Sequence, residues 1–219
     1  MKSFGAAKQR LAQALGAGAR QALAQAMFTD VLTTLRRVPG VDEIAVVTAD
    51  RVAEAAATGE RVRLLRDTAQ GGQSEAALIG IRHALAGGYD RALLVPGDTP
   101  LVQPGELAEL AAGERGVVIV PDRHRTGTNA LVLSPPDAIE PSFGPGSLAR
   151  HVAAAEVAGV EPLVREVGTL ALDVDTPDDL AALVRELGLR RGQAQSTRGA
   201  LRQLDRAGAR AVRVAQVSA

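Results

Sequence analysis

Apolar residues recur at helical spacing near the amino terminus. Leu11 and Leu15 fall within 6–17, and Leu23, Met27, Leu32 and Leu35 within 20–37. A repeat near 3.6 residues puts such side chains on one face, so the pattern predicts two amphipathic helices parted by Gly16 and Gly18. The run Glu43-Ile44-Ala45-Val46-Val47-Thr48 is short, β-branched and apolar without alternation, which predicts a strand buried on both faces. The alternation then repeats. It predicts a helix at 51–58, a strand at 61–65, a loop from Asp67 to Gly72 and a helix from Ser74 to Gly87. Ala92-Leu93-Leu94-Val95 reads as a central strand that runs into Pro96-Gly97-Asp98-Thr99-Pro100.

Further on, the pattern predicts a helix at 104–112 and strands at 117–120 and 130–133 around a polar loop, 122–128. The loop Phe143-Gly144-Pro145-Gly146-Ser147 opens a helix to about Ala158, and strands at 162–167 and 170–174 lead to Asp175-Thr176-Pro177 and a helix at 178–187. Strands alternating with helices at this spacing predict an α/β fold with a mostly parallel sheet flanked by helices, and ligands at the carboxyl ends of its strands. The domain is expected to span 1–187. Residues 188–219 begin with a polar break and hold a short helical stretch at about 197–207, so they read as an appended tail for loose packing or for self-association into a homo-oligomer.

Composition narrows the function classes. With 219 residues, 46% of them hydrophobic, the chain can bury a core of its own, and without cysteine it has neither disulfides nor a thiolate metal site. Zero net charge and an aromatic complement of three Phe and one Tyr argue against a nucleic-acid partner, because neither a global field nor stacking platforms exist. No apolar run is long enough for a membrane span or a secretory leader, so the expected compartment is the cytoplasm. Lysine occurs at Lys2 and Lys8 alone, against 23 arginines.

The candidate chemistry is carried by carboxylates, cations and glycines. The tripeptide Asp-Thr-Pro occurs at 98–100 and again at 175–177, with Asp173 close by. Strand-end carboxylates that converge are hard ligands suited to Mg²⁺, and Asp98, Asp173 and Asp175 are the candidates. Thr176 with Asp179 reads instead as a capping box, with Pro177 at the first helical position. Lys2, Lys8 and Arg10 surround a glycine-containing turn at a helix start, which suits phosphate. Gly72, Gln73 and Ser74 open a helix and could admit a nucleotide base. The 122–128 loop suits an anionic substrate, with His124 as its imidazole, and Ser147 reads equally as a helix cap. The chain has no Ser-His-Asp arrangement, phosphate-loop motif or HExxH zinc motif.

Taken in order, Lys2-Ser3-Phe4, Ala7-Lys8-Gln9-Arg10-Leu11, Gly97-Asp98-Thr99-Pro100-Leu101, Gly127-Thr128-Asn129-Ala130-Leu131, Phe143–Ser147 and Asp173–Pro177 form a joint pattern. It resembles the 2-phospho-L-lactate (or phosphoenolpyruvate) guanylyltransferases of deazaflavin coenzyme F-420 biosynthesis, relatives of the molybdenum-cofactor nucleotidyltransferases. The resemblance runs from residue 2 to about 187 and implies a Rossmann-like nucleotidyltransferase fold. It implies that GTP reacts with phosphoenolpyruvate or 2-phospho-L-lactate to release pyrophosphate. It further implies Mg²⁺ on Asp98, Asp173 and Asp175, the triphosphate on Lys2, Lys8 and Arg10, the acceptor on Thr128, Gly144 and Ser147, and guanine near Gly72–Ser74. The family pattern opens with a buried strand ending in a Val-Pro-Val-Lys-like sequence, whereas this chain opens Met1-Lys2, so the first strand is expected to be missing. The alternatives are a molybdopterin- or sugar-phosphate nucleotidyltransferase and a non-catalytic nucleotide-binding module.

Overall fold

The computed structural model describes residues 8–57, 62–68, 71–113 and 116–206. The expectation of a missing first strand concerns what precedes Lys8 and lies outside the described residues. From Lys8 the chain makes one 3-10 turn, Gln9–Leu11, and then forms helix α1, Ala17–Leu35. The first expected helix is therefore a single turn, and Gly18 lies inside α1 instead of before it. Leu11 and Leu15 are nonetheless buried, because what the spacing encodes is a common apolar direction.

The remaining elements are β1 (Ile44–Thr48), α2 (Arg51–Ala56), β2 (Val62–Arg66), α3 (Gln73–Ala86), β3 (Ala92–Leu94), α4 (Pro104–Ala112), β4 (Gly116–Pro121), β5 (Thr128–Ser134), α5 (Ser147–Val157), β6 (Pro162–Val164), α6 (Pro177–Leu189) and α7 (Gln195–Arg206). The fold is α/β, with helices flanking two ladders. β1 pairs parallel with β2, and the second ladder has the order β3-β5-β4-β6. β5 runs antiparallel to both β3 and β4, while β4 and β6 are parallel. The sheet is thus mixed where a mostly parallel one was expected. The short connection between β4 and β5 explains this, since a parallel crossover needs a dozen or more residues.

No ladder forms at 170–174, where a strand was expected. Leu170, Leu172 and Val174 are buried all the same, Leu170 against α4 and β5 residues and the other two against α6. Their alternation records anchoring on two sides without backbone pairing. β5 is buried at all seven positions. Ala130 and Val132 pack towards α4, and Leu131 and Leu133 pack towards Ile81 of α3 and Ala155 of α5. That two-sided burial makes β5 the rigid platform from which the site is built.

The expected boundary at 187 falls inside α6, and α7 shares a core cluster with Leu23 and Met27 of α1 and Leu183 of α6. Asp30 of α1 is buried and accepts the backbone N–H groups of Ser196 (3.0 Å) and Thr197 (2.7 Å), capping α7 from across the interface. A carboxylate at a helix amino terminus satisfies orphan donors and meets the positive end of the dipole. Replacing Asp30 by Ala should cost about 1–2 kcal/mol in chemical denaturation. An unchanged midpoint would mean that α7 is held by its apolar face alone.

Candidate active site

The reversal of β5 brings its first residues to the edge where β3 ends. Leu94 pairs with Leu131, so Pro96–Asp98 leaves β3 beside Thr128 and Asn129. The segment carrying Asp173 and Asp175 arrives at the same edge, because Asn129 Nδ2 donates to Leu170 O (2.8 Å) and to Asp173 Oδ1 (3.1 Å). Lys8 closes the group. Its ammonium donates to Asp98 and, at 2.8 Å, to Asp175. Burial works to lower the Lys8 pKa, but the facing charges of Asp98 and Asp175 outweigh it and hold the ammonium above the usual lysine range. Its backbone is left-handed, with φ 58° and ψ 40°, a conformation unusual for a residue with a Cβ.

Among the described residues Asp173 has no such counter-ion. Burial, then the charges of Asp98 and Asp175, push its carboxyl above the usual carboxylate range, and the hydrogen bond from Asn129 only partly offsets them. Ionising this group therefore costs the fold stability. The cost is present above its folded pKa and disappears as the pH falls below the carboxylate range.

A cleft of about 1280 Å³ opens over this group and is lined by Lys8, Arg10, Gly72, Gln73, Ser74, Asp98, Thr128, Gly144, Asp173 and Asp175. One site thus gathers every expected residue except Lys2, which lies outside the described residues, and Ser147. Ser147 is buried in the first turn of α5, and its hydroxyl has no hydrogen-bond partner among the described residues. Gly72, with φ 94° and ψ −167°, caps α3 in a conformation open essentially to glycine alone. A Cβ on Gly72, or on Gly144 at φ 103°, would enter open space, so backbone at both positions can be approached closely. Ser74 does more than line the cleft: its Oγ accepts the Phe143 N–H at 2.9 Å and ties α3 to the 143–147 loop.

The polar 122–128 loop departs from its expected role. Asp122 accepts the backbone N–H groups of His124 (3.1 Å) and Thr126 (2.9 Å), Arg123 pairs with Asp179 at 2.6 Å, and Arg125 pairs with Glu166. Its polarity is thus spent on its own shape and on α6, and His124 does not line the cleft. Only Thr128, with Asn129 after it, faces the site. The capping reading of Thr176 holds, since Thr176 and Asp179 form a reciprocal box at the start of α6. Two supporting residues had no assigned role in the sequence. Arg150 donates to Ser142 Oγ (2.8 Å) and to the carbonyls of Ser142 (2.9 Å) and Phe143 (3.1 Å), bracing the loop. His151, wholly buried, contacts Thr128 Oγ1 at 2.9 Å and the Ser142 N–H at 2.8 Å. The spacing Ser147, His151, Ala155 was the available signal, because it marks the buried face of α5.

The sequence matches the family model described as "Guanylyl transferase CofC like" over residues 1–208. The chain belongs to this guanylyl transferase family. It is 50% identical to a phosphoenolpyruvate guanylyltransferase of Conexibacter woesei over 208 residues, covering 93% of each chain. It is 42% identical to a protein of the same name from Sphaerobacter thermophilus, across 81% of this chain and 86% of that one. Among solved structures, a chain from Desulfovibrio desulfuricans G20 assigned as a nucleotide-diphospho-sugar transferase superposes with a TM-score of 0.73 at 22% identity, over 97% and 93% of the two chains. A nucleotidyl transferase from Methanothermobacter thermautotroptrophicus gives 0.58 at 23% identity, over 73% and 79%. These two likenesses concern the fold, which is of the nucleotidyltransferase type.

This guanylyl transferase homologue is accordingly a nucleotidyltransferase, and the family match extends past the expected end at 187. No helix among its described residues is long and apolar enough to cross a membrane. Among those residues no three acidic or imidazole groups form a ready metal shell. The donor chemistry still suits a hard divalent cation: the carboxylates of Asp98, Asp173 and Asp175 share one cleft, and burial together with the charges of its neighbours raises the Asp173 pKa. Mg²⁺ characteristically takes one or two protein carboxylates and completes its shell with water and substrate phosphates.

Removing a charge that burial and its neighbours disfavour should stabilise the fold. Asp173→Asn is expected to raise the melting temperature at pH 7 by about 2 °C or more. A lower melting temperature would show that the carboxylate is held favourably. Burial, and then the neighbouring Arg150 charge, lower the His151 pKa from 6.5 to about 4. The unfolded chain takes this proton first, so the stability that neutral His151 preserves at neutral pH is lost as the pH falls from about 6.5 towards about 4. A His151→Gln variant should lose less melting temperature across that interval than the parent. Equal slopes would remove His151 from the acid response.

Proposed function

We propose that this chain transfers the guanylyl group of GTP to the phosphate of phosphoenolpyruvate and releases pyrophosphate, within coenzyme F-420 biosynthesis. 2-Phospho-L-lactate is the other acceptor with the same chemistry, a phosphate and a carboxylate on three carbons. The observation that carries this reading is the meeting, in one cleft, of Lys8, Asp98, Asp173 and Asp175 with Thr128 and Gly144. The named relative at 50% identity supports the choice of substrates.

In this reading an acceptor phosphate oxygen forms a bond to the α-phosphorus of GTP. The bond from that phosphorus to the bridging oxygen breaks, and its electron pair leaves with pyrophosphate. A phosphate monoester is largely dianionic at neutral pH, so the nucleophile needs no general base. The obstacle is charge crowding and alignment. Lys8 and Arg10, with Lys2 ahead of them, offset the triphosphate charge. Thr128 and the Gly144 backbone hold the acceptor, and Ser147, buried behind the cleft lining, supports the 143–147 loop at the start of α5. Gly72, Gln73 and Ser74 leave room for guanine beside the start of α3. Asp98, Asp173 and Asp175 would hold Mg²⁺, which when bound neutralises phosphoryl charge and polarises the phosphorus–oxygen bond. Both substrates are soluble metabolite anions, and the reading assigns the enzyme to the cytoplasm, with no nucleic-acid or membrane partner.

The test is pyrophosphate release from GTP and Mg²⁺ with phosphoenolpyruvate, with 2-phospho-L-lactate, with a sugar phosphate and without acceptor. Release that requires one three-carbon acid is expected. Release with the sugar phosphate alone would transfer the assignment to another acceptor class, and silence throughout would favour a binding module. Asp98→Asn should lower kcat by about 100-fold or more while leaving the melting temperature within a few degrees, because Lys8 keeps Asp175 as its counter-ion and an asparagine amide oxygen can still accept its hydrogen bond. Near-parental turnover would remove Asp98 from the metal site.

A further inference from the structure

His151 is the one imidazole that the fold buries completely, and neither the reaction nor the capping of α5 uses it. Both of its ring nitrogens are engaged. The backbone N–H of Ser142 points at Nε2 at 2.8 Å, and Thr128 Oγ1 lies 2.9 Å from Nδ1. A backbone N–H can only donate, so Nε2 must present its lone pair. A neutral ring that accepts at Nε2 carries its hydrogen on Nδ1. Nδ1–H then donates to Thr128 Oγ1, and the threonine hydroxyl cannot aim its own hydrogen back at the ring. Thr128 lines the cleft, so that hydrogen is left for whatever the cleft holds.

We infer that His151 is a positioning residue that turns Thr128 into a one-way hydrogen-bond donor for an anionic oxygen of the acceptor. The inference rests on the acceptor site proposed above and adds the device that sets its polarity. A hydroxyl is ordinarily ambivalent and can rotate to present a lone pair, which would repel a carboxylate or phosphate. Here the rotation is removed by a fixed backbone donor one bond further back. The same chain of bonds extends into the acceptor loop: Ser142 and Phe143 are braced by Arg150, and the Phe143 N–H is held by Ser74. Phe143 also meets the His151 ring edge-on at 5.2 Å, which fixes the ring plane. Burial and the nearby Arg150 cation keep the ring neutral at working pH, so the polarity does not invert.

Two independent readouts test this. The chain holds three histidines, so the His151 ring nitrogens can be assigned by comparing ¹⁵N–¹H spectra of the parent and His151→Gln. A protonated Nδ1 with a bare Nε2 is expected, and the opposite tautomer would overturn the inference without requiring any variant to be active. The second readout is a kinetic cycle with Thr128→Val. His151→Gln keeps an acceptor for Ser142 but loses the Nδ1 donor, and is expected to raise the acceptor KM about tenfold with the GTP KM within about twofold. His151→Asn, which keeps a donor at the Nδ1 position, should recover most of that loss. Added to Thr128→Val, His151→Gln should change the acceptor KM by less than about twofold. Effects that multiply in the double variant, or that raise both KM values alike, would make His151 merely structural. An acceptor KM unmoved by Thr128→Val itself would instead overturn the acceptor site, and this inference with it.

Discussion

One ammonium group holds together segments that lie far apart in the chain. Lys8 sits 90 residues from Asp98 and 167 from Asp175, and it donates to both. Three carboxylates around one cleft would otherwise repel each other, and at Asp173 burial together with that repulsion already displaces the carboxyl pKa upward. The ion pairs fix the direction in which the 3-10 turn leaves the site, and Leu11 and Leu15 carry that direction into the core beside α1 and α6. The Lys8 side chain is almost wholly buried, so its charge depends on at least one of the two carboxylates staying in place.

Around this centre the structure separates rigid support from chemistry. β5 is buried on both faces and cannot shift without opening two clusters, so Thr128 and Asn129 inherit a fixed position at its first residues. Asn129 uses both amide hydrogens to bind the Leu170 carbonyl and Asp173, and it thereby sets a segment that has no ladder of its own. On the other side of the cleft the glycine-rich 143–147 loop needs conformations that side chains resist, and Arg150, His151 and Ser74 supply the bonds that hold it. Loops that carry function are positioned in this way by neighbours that do not touch the substrate.

Much of this was legible in the order of residues. The α/β alternation, the capping box at Thr176 and the grouping of Lys8, Asp98, Asp173 and Asp175 followed from local pattern and from motif order. The central strand expected at 92–95 is instead three residues, Ala92–Leu94, at the end of its ladder and only partly buried, because a short apolar run does not report its place in the strand order. The direction of β5 was less legible, because a strand buried on both faces looks alike in parallel and antiparallel ladders. Segment 170–174 shows the opposite failure. Its alternation was real, but alternation reports which side chains are buried and not whether the backbone is paired.

The polar loop 122–128 and His151 mark the limit most clearly. By composition the loop suits an anion, yet Asp122, Arg123 and Arg125 find partners in the loop itself, in α6 and at Glu166. By sequence His151 is one residue on an amphipathic helix, and its environment comes from Ser142 and Thr128, which only folding brings to it. The sequence by itself determined the fold class, the family and the chemical groups available, because propensity, periodicity and motif order are local properties of the chain. The tertiary structure decided which polar groups are consumed internally and which remain for a ligand, because that depends on distances between residues that have no fixed relation along the sequence.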